Sequence, residues 1–201
     1  YRPYDEETLI QLLLACKPLI PPYCRVNRLM RDIPAPNVAA GVARSNLRQV
    51  VQRRMAEAGL ACRCIRCREV QGEPVDPDAL RLSDTVYETD GTTEHFLAGE
   101  TPEGRLAGFL RLSFPQTEPE IEELRDCAVV RELHVYGPAL ELGDRGGGHP
   151  QHAGLGTRLL ETARQMARER GRRRLAVIAA VGTRPYYRER GFALHGTYMV
   201  S

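Results

Sequence analysis

The chain has 201 residues, 42% hydrophobic and 27% charged, which suits a globular protein of one or two small domains. Its net charge is +2, yet residues 1–68 carry 12 Lys and Arg against 5 Asp and Glu, whereas the remainder carries 16 against 21. A basic segment therefore precedes an acidic one. The apolar runs at 9–14 and 175–181 are far shorter than the roughly 20 residues of a membrane-spanning helix, which excludes such a helix.

The N-terminal third reads as helical. Residues 5–19 form an amphipathic pattern that prolines end, residues 24–30 read as extended, and the prolines at 34 and 36 make residues 31–36 irregular. Asn46 is a candidate N-cap for a second helix, whose apolar positions have helical spacing until Gly59 ends it.

Strand patterns follow from residue 85 onward. Turn signals at Asp90-Gly91 and at 102–104 separate strands of an antiparallel meander. The predicted strands are 85–87, 95–99, 106–114, 128–136, 173–181 and 192–200, and the predicted helices are 154–170 and 184–190. Residues 137–150 form a Gly- and Pro-rich loop without periodicity.

Three of the six cysteines, Cys62, Cys64 and Cys67, form a C-x-C-x-x-C cluster. Their spacing is poor for mutual disulfides and suits thiolates converging on a structural zinc ion, although three free thiols are an alternative. Zinc needs a fourth ligand, for which we expect His95, with His149 and Cys127 as alternatives. Scattered cysteines and no disulfide framework favour a cytoplasmic location.

A Gly-rich turn, QHAGLG at 151–156, lies between the strongest predicted strand with its loop and an amphipathic helix. Backbone N–H groups of such a turn can approach an anion closely, and the helix N-terminus adds partial positive charge, so a pyrophosphate site is predicted. A dinucleotide-binding fingerprint does not fit, because its third glycine and its downstream acidic residue are missing.

This Q-x-x-G-x-G turn after a meander resembles the acetyl-CoA site of GCN5-related N-acetyltransferases. Longer runs are similar to the family of Elongator catalytic subunits, over nearly the whole chain. These runs are 1–10, 31–34, 46–48, 131–137, 151–156, 177–184, 186–188 and 196–200.

The resemblance implies an α/β (α+β) fold of the GCN5-related type in residues 75–201, with a mixed, largely antiparallel sheet. Residues 1–74 would hold the end of a radical S-adenosylmethionine domain and a helical, basic, zinc-binding linker. Tyr187 would donate a proton to the leaving thiolate, with Tyr186 as the adjacent candidate. The residues implied to contact acetyl-CoA are Glu132, Leu133, His134, Val135, Gln151, Gly154, Leu155, Gly156, Thr157 and Tyr187.

The function implied is carboxymethylation at C5 of a tRNA wobble uridine, with acetyl-CoA as cosubstrate and thioester hydrolysis stimulated by tRNA. The radical step needs S-adenosylmethionine and a 4Fe–4S cluster. No C-x-x-x-C-x-x-C occurs here, so we expect both only in a preceding domain. The absence of an initiator Met likewise suggests the back part of a longer protein.

tRNA is the expected partner of the basic segment, and other Elongator-like subunits or a second copy are further candidates. Two other functions stay open: lysine acetyltransfer to a protein tail, for which Glu132 and His134 would offer a base, and a non-catalytic acyl-CoA-responsive RNA-binding module. The arginines chosen for RNA contact are Arg28, Arg31, Arg44, Arg48, Arg53 and Arg54.

Overall fold

The computed structural model describes residues 2–29, 35–44, 46–71, 73, 75–137 and 154–201. It divides into two compact units, Tyr1–Arg68 and Glu69–Ser201. The expected boundary, between residues 74 and 75, lies six residues beyond this division. None of the helices in the described part of the chain has the length and apolar character that a bilayer crossing requires.

The first unit is helical. Helix α1 (Glu6–Cys16) begins at Asp5, whose side chain accepts the N–H of Thr8 at 2.8 Å, and a 3-10 turn (Lys17–Leu19) continues it. The other elements are a 3-10 turn (Ala35–Asn37), α2 (Leu47–Glu57) and the short α3 (Ile65–Arg68).

Helices α1 and α2 pack through one small apolar core. Ile10 of α1 meets Leu47, Val51 and Met55 of α2, and all four are at most 3% exposed. These positions recur every three to four residues, so they form one face of the helix. Asn46 precedes α2 as predicted, but its side chain makes no capping hydrogen bond.

A seven-stranded sheet is the frame of the second unit. The spatial order is β1-β2-β3-β4-β5-β7-β6, and every neighbouring pair is antiparallel except β4 with β5. The mixed, largely antiparallel sheet is therefore confirmed. The strands are β1 (Arg81–Thr89), β2 (Thr92–Glu100), β3 (Leu106–Pro115), β4 (Cys127–Val135), β5 (Arg174–Val177), β6 (Ala193–His195) and β7 (Tyr198–Val200).

Helix α4 (Leu155–Glu169) supplies the apolar layer against this sheet. Its inward positions are Leu155, Leu159, Leu160, Ala163 and Ala167, all at most 3% exposed. They share a core with apolar side chains of β2 to β5 and with the short helix α5 (Arg184–Arg188).

Two predicted strands were too long. The single strand expected at 192–200 is the hairpin β6–β7, because Gly196 has φ +55° and reverses the chain between His195 and Tyr198. The strand expected at 173–181 ends at Val177, and a 3-10 turn (Val181–Thr183) follows shortly after it. An apolar run alone does not show where such a chain turns away from its sheet.

Candidate acetyl-CoA site and cysteine cluster

Strands β4 and β5 separate part of the way along their length. They pair in parallel only from Cys127 to Val130 on β4, whereas β4 continues to Val135 and stays paired with β3. The register of β3 with β4 shifts between Arg111 and Leu112, so that Arg131 on β4 is the extra residue of a bulge. Beyond this bulge, the β4 edge away from β3 has no strand partner among the described residues.

Backbone direction decides which residues of this edge can bind amides. Tyr136 donates its backbone N–H to Ala107 O at 2.8 Å, so the backbone N–H of Tyr136 points toward β3. Backbone groups alternate in direction along an antiparallel strand. The N–H and C=O groups of Leu133 and Val135 therefore point into the gap, whereas those of Glu132 and His134 point toward β3.

The side chains of Glu132 and His134 already have partners. Glu132 forms an ion pair with Arg111 at 3.0 Å, and the His134 ring stacks on Phe109 and contacts Tyr136, with centroid distances of 5.9 and 4.5 Å. The two residues lie on one face of β4, but these contacts argue against a free general base at either position.

The N-terminus of α4 is built to receive an anion. Gly154 precedes the helix with φ +103°, and no side chain caps it. The N–H of Arg158 bonds to Gly154 O at 2.8 Å, so the N–H groups of Leu155, Gly156 and Thr157 lack the usual helical acceptor. These three donors and the helix dipole match the predicted pyrophosphate site. Gln151 lies outside the described residues.

Close packing positions this helix end against the sheet. The Leu155 side chain lies over Gly99 and Gly108, where an added Cβ would come within 3.0 Å of it. At Gly156 an added Cβ would lie 2.5 Å from the Tyr186 hydroxyl oxygen. Glycine at these positions therefore lets α4 and α5 meet closely at the mouth of the gap.

Tyr186 and Tyr187 have different environments. Tyr187 is 7% exposed and lies in the main core, with its ring edge-on to Phe192 and to Tyr186. Tyr186 is less buried, and its hydroxyl lies at the α4 N-terminus. Burial raises the pKa of both phenols above the ordinary value, so both are neutral proton carriers at neutral pH.

Arg190 joins α5 to the first turn of α4. It donates to Thr157 Oγ1 at 3.1 Å and to Tyr186 O at 2.8 Å, and its guanidinium lies 3.6 Å from the Tyr186 ring centroid. Sequence analysis missed this residue. The available signal was its place four residues after Tyr186, on the same helical side.

The cysteine cluster is brought together as predicted. The Sγ atoms of Cys62, Cys64 and Cys67 all lie within 4.8 Å of one another. Thiolates around tetrahedral zinc are about 3.8 Å apart, given a Zn–S distance of about 2.3 Å, so small rotations would suffice. Hydrogen bonds from the Cys67 and Cys62 thiols lower the pKa of Cys64, and the donor set fits zinc.

Lys17 lies beside this cluster and was also missed. It is the only lysine of the chain, it is 1% exposed, and its ammonium donates to Cys67 Sγ at 3.6 Å. A buried ammonium is stable only near compensating negative charge or acceptors. The contact therefore fits a cluster that carries thiolate charge.

Two of the expected fourth ligands have partners of their own within the second unit. His95 lies in β2, is 2% exposed, and its Nδ1 is 2.7 Å from Asp84 Oδ2. The Cys127 thiol is buried and donates to Glu123 O at 3.3 Å. Among the described residues the group holds only the three cysteines, and the choice of His95 as fourth ligand stays a prediction. His149 lies outside the described residues.

The arginines chosen for RNA contact differ in their intramolecular hydrogen bonds and ion pairs. Arg48 donates to Val26 O and Asn27 O at 2.9 and 3.1 Å. Arg44 pairs with Glu6, Arg54 binds both carboxylate oxygens of Glu7, and Arg53 has a long 3.7 Å contact with Glu57. Arg28 is exposed and has a partner, and Arg31 lies outside the described residues.

Two family models match this chain. The Radical_SAM C-terminal domain covers residues 1–57, and the Acetyltransferase (GNAT) family covers residues 64–192.

Longer relatives match along nearly the full chain. It is 42% identical to Elongator complex protein 3 of Dictyostelium discoideum and 39% identical to tRNA uridine(34) acetyltransferase of Dehalococcoides mccartyi, over 99% of this chain in each case. The archaeal Elp3 of Methanocaldococcus infernus, solved with residues 1–46 deleted, matches with a TM-score of 0.87 and 37% identity over 100% of this chain. The chain spans 37%, 45% and 49% of these three proteins. By sequence match and fold, the chain belongs to the GNAT acetyltransferase family.

Proposed function

We propose that this chain is the acetyl-CoA-binding and thioester-opening part of a tRNA-modifying acetyltransferase that acts at the wobble uridine. The observation that carries the proposal is the gap between β4 and β5, which lies beside three N–H groups at the α4 N-terminus that have no acceptor among the described residues. Similarity to proteins named Elongator complex protein 3 and tRNA uridine(34) acetyltransferase supports the tRNA substrate.

Each end of the cosubstrate has a place in this proposal. The backbone of Leu133 and Val135 pairs with the pantetheine amides, and the N–H groups of Leu155, Gly156 and Thr157 bind the pyrophosphate. This orientation directs the thioester along the gap between the strands.

Tyr187 is the proposed proton donor. As water attacks the acetyl carbonyl, the carbon–sulfur bond breaks, the CoA thiolate takes the phenolic proton, and acetate and CoA leave. A thiol has a pKa of about 8.5 and a phenol one of about 10, and burial raises the pKa of Tyr187 further. The phenol is therefore fully protonated before the step, and bulk water restores its proton afterwards.

The N-terminal unit contributes RNA contacts and a zinc site in this proposal. Zinc bound by Cys62, Cys64 and Cys67 would tie its chain together as a structural ion. Carboxymethylation itself needs the radical chemistry of S-adenosylmethionine and a 4Fe–4S cluster, which we assign to the remainder of the longer protein, as the match to a Radical_SAM C-terminal domain at residues 1–57 supports.

The test measures CoA released from acetyl-CoA by this chain, with and without tRNA, by mass spectrometry. We expect release that tRNA stimulates and that Tyr187→Phe lowers by at least about 100-fold, the usual contribution of a general acid. CoA affinity should stay unchanged in this variant.

Two outcomes would overturn the proposal, and a third would remove one part of it. Labelled acetyl on an added lysine peptide, in the absence of tRNA-stimulated release, would indicate a protein acetyltransferase. Binding of CoA without turnover, also with tRNA and with the full-length protein, would indicate a non-catalytic module. Unchanged turnover by Tyr187→Phe would remove the role of this residue.

A further inference from the structure

A second concentration of positive charge lies in the acidic half of the chain. Residues 164–174 contain six arginines and a single carboxylate, Glu169. That carboxylate accepts a hydrogen bond from Gln165 at 2.9 Å. This run covers the end of α4, the following turn and the start of β5, and the acetyltransferase site uses none of it.

Five of these arginines line one cleft of about 310 Å³. We call it the arginine cleft, and its guanidinium-bearing residues are these five, Arg164, Arg168, Arg172, Arg173 and Arg174, together with Arg190. Among the described residues, no Asp or Glu lines the cleft. The sixth arginine of the run, Arg170, lies elsewhere, with its guanidinium 4.6 Å from the ring centroid of Phe114.

The described hydrogen bonds of these guanidinium groups go to neutral acceptors. Arg172 and Arg174 donate to the carbonyl oxygens of Pro115 and Arg125 at 2.6 and 2.7 Å, and Arg164 donates to Arg190 O. Carbonyl oxygens carry no net charge. Within the described ranges, none of the five forms an ion pair with a carboxylate.

Arg168 and Arg173 have the greatest freedom to bind a ligand. Both are exposed, and their side chains make no hydrogen bond to another described residue. Burial is the main cause that lowers the pKa of Arg164, and the nearby charge of Arg168 lowers it further, whereas Glu161 raises it. An anion in the cleft would relieve this repulsion.

The arginine cleft is separate from the predicted pyrophosphate site. Arg168 lies 13 residues after Leu155 on the same helix, which corresponds to about 20 Å at 1.5 Å per residue. Arg190 also borders the cleft, but its guanidinium is held by Thr157 and stacks on Tyr186. One CoA pyrophosphate cannot occupy both places.

We propose that the arginine cleft binds backbone phosphates of an RNA strand, as a second anion site of the acetyltransferase unit. The inference rests on the proposed function for its RNA partner. Guanidinium groups bind phosphate through paired N–H donors, and several arginines in one open cleft suit successive phosphates better than a single small anion. The contact would hold RNA on the same unit that opens the thioester.

The test uses the two arginines without described partners, because their replacement breaks no described intramolecular bond. The variant is Arg168→Gln/Arg173→Gln. The control, Arg81→Gln/Arg170→Gln, removes the same charge from exposed positions outside the cleft. Binding of a fluorescent tRNA anticodon stem-loop is measured by anisotropy from 50 to 200 mM salt, and thermal unfolding verifies that both variants fold.

Loss of two phosphate contacts reduces the magnitude of the slope of log affinity against log salt by about 1.4 to 1.8, and weakens binding at 0.1 M salt by about 25- to 60-fold relative to 1 M. The cleft variant should show this loss, the control a clearly smaller one, and the affinity for CoA should be unchanged in both. Equal RNA affinity in the two variants overturns the inference and leaves the proposed function standing. A loss of CoA affinity confined to the cleft variant assigns the cleft to CoA and also overturns the inference. If the unmodified chain and the full-length protein fail to bind RNA, both proposals fall.

Discussion

Gly156→Ala tests the contact between α4 and Tyr186. In the middle of a helix, replacing glycine by alanine raises the free energy of unfolding by up to about 1 kcal/mol, because alanine loses less backbone entropy than glycine on folding. Here the new Cβ would lie 2.5 Å from the Tyr186 hydroxyl oxygen but 3.6 Å from the ring carbon that bears it. The ring cannot easily move, because Arg190 stacks on it and Tyr187 packs edge-on. Overpacking of this kind costs about 1 to 3 kcal/mol, so we expect a net loss of up to about 2 kcal/mol.

Tyr186→Phe supplies the matched background. Without the hydroxyl, the nearest ring atom is at ordinary contact distance from the new methyl group, so Gly156→Ala should then stabilise by up to about 1 kcal/mol. Urea unfolding of the four proteins gives the free energies, and the coupling between the two changes should be about 1 to 3 kcal/mol. Equal effects of Gly156→Ala in both backgrounds would refute the steric argument.

The remaining predictions concern the acid, the cluster and the basic segment. Burial raises the pKa of Tyr187, so CoA release should stay level from pH 7 to about 10 and fall only above the ordinary phenol value; a fall below pH 9 would contradict its role as the acid. Lys17→Met should weaken Co²⁺ binding to the cysteine cluster by about 10- to 100-fold. The titration is measured by the thiolate-to-cobalt charge-transfer band, and unchanged affinity would refute the pairing of the Lys17 ammonium with Cys67. Arg48→Gln should lower the free energy of unfolding in urea by about 1 to 3 kcal/mol. The Arg53 side chain is 72% exposed, so Arg53→Gln should lower it by less than about 0.5 kcal/mol. Equal losses would contradict the structural role of Arg48.

Elements with long periodic patterns could be predicted from the sequence. Helix α4 repeats its apolar positions through four turns, and only one face can then be buried. The Gly-rich turn before it precedes N–H groups that have no acceptor among the described residues, and the pyrophosphate site, which stays a prediction, rests on this local information only. The hairpin β6–β7 was missed because Gly196 is one residue within an otherwise continuous strand pattern.

Contacts between distant residues could not be predicted in the same way. Gly156 and Tyr186 are 30 positions apart, and no local rule connects them. The contact of His95 Nδ1 with Asp84 could not be predicted for the same reason, because it arises from the pairing of β1 with β2. Strand pairing, rather than sequence distance, decides which polar groups meet.

The single lysine illustrates what composition conceals. The chain has 27 arginines and one lysine, so a cation at an arbitrary surface position is an arginine. Lys17 is instead almost completely buried, with its ammonium at the sulfur of Cys67. A planar guanidinium with five donors would need more space and more acceptors than an ammonium does. A buried cation in turn requires a negative neighbour, so this exception in composition supports the proposal that the cluster holds zinc, because zinc binding would make Cys67 a thiolate beside the ammonium.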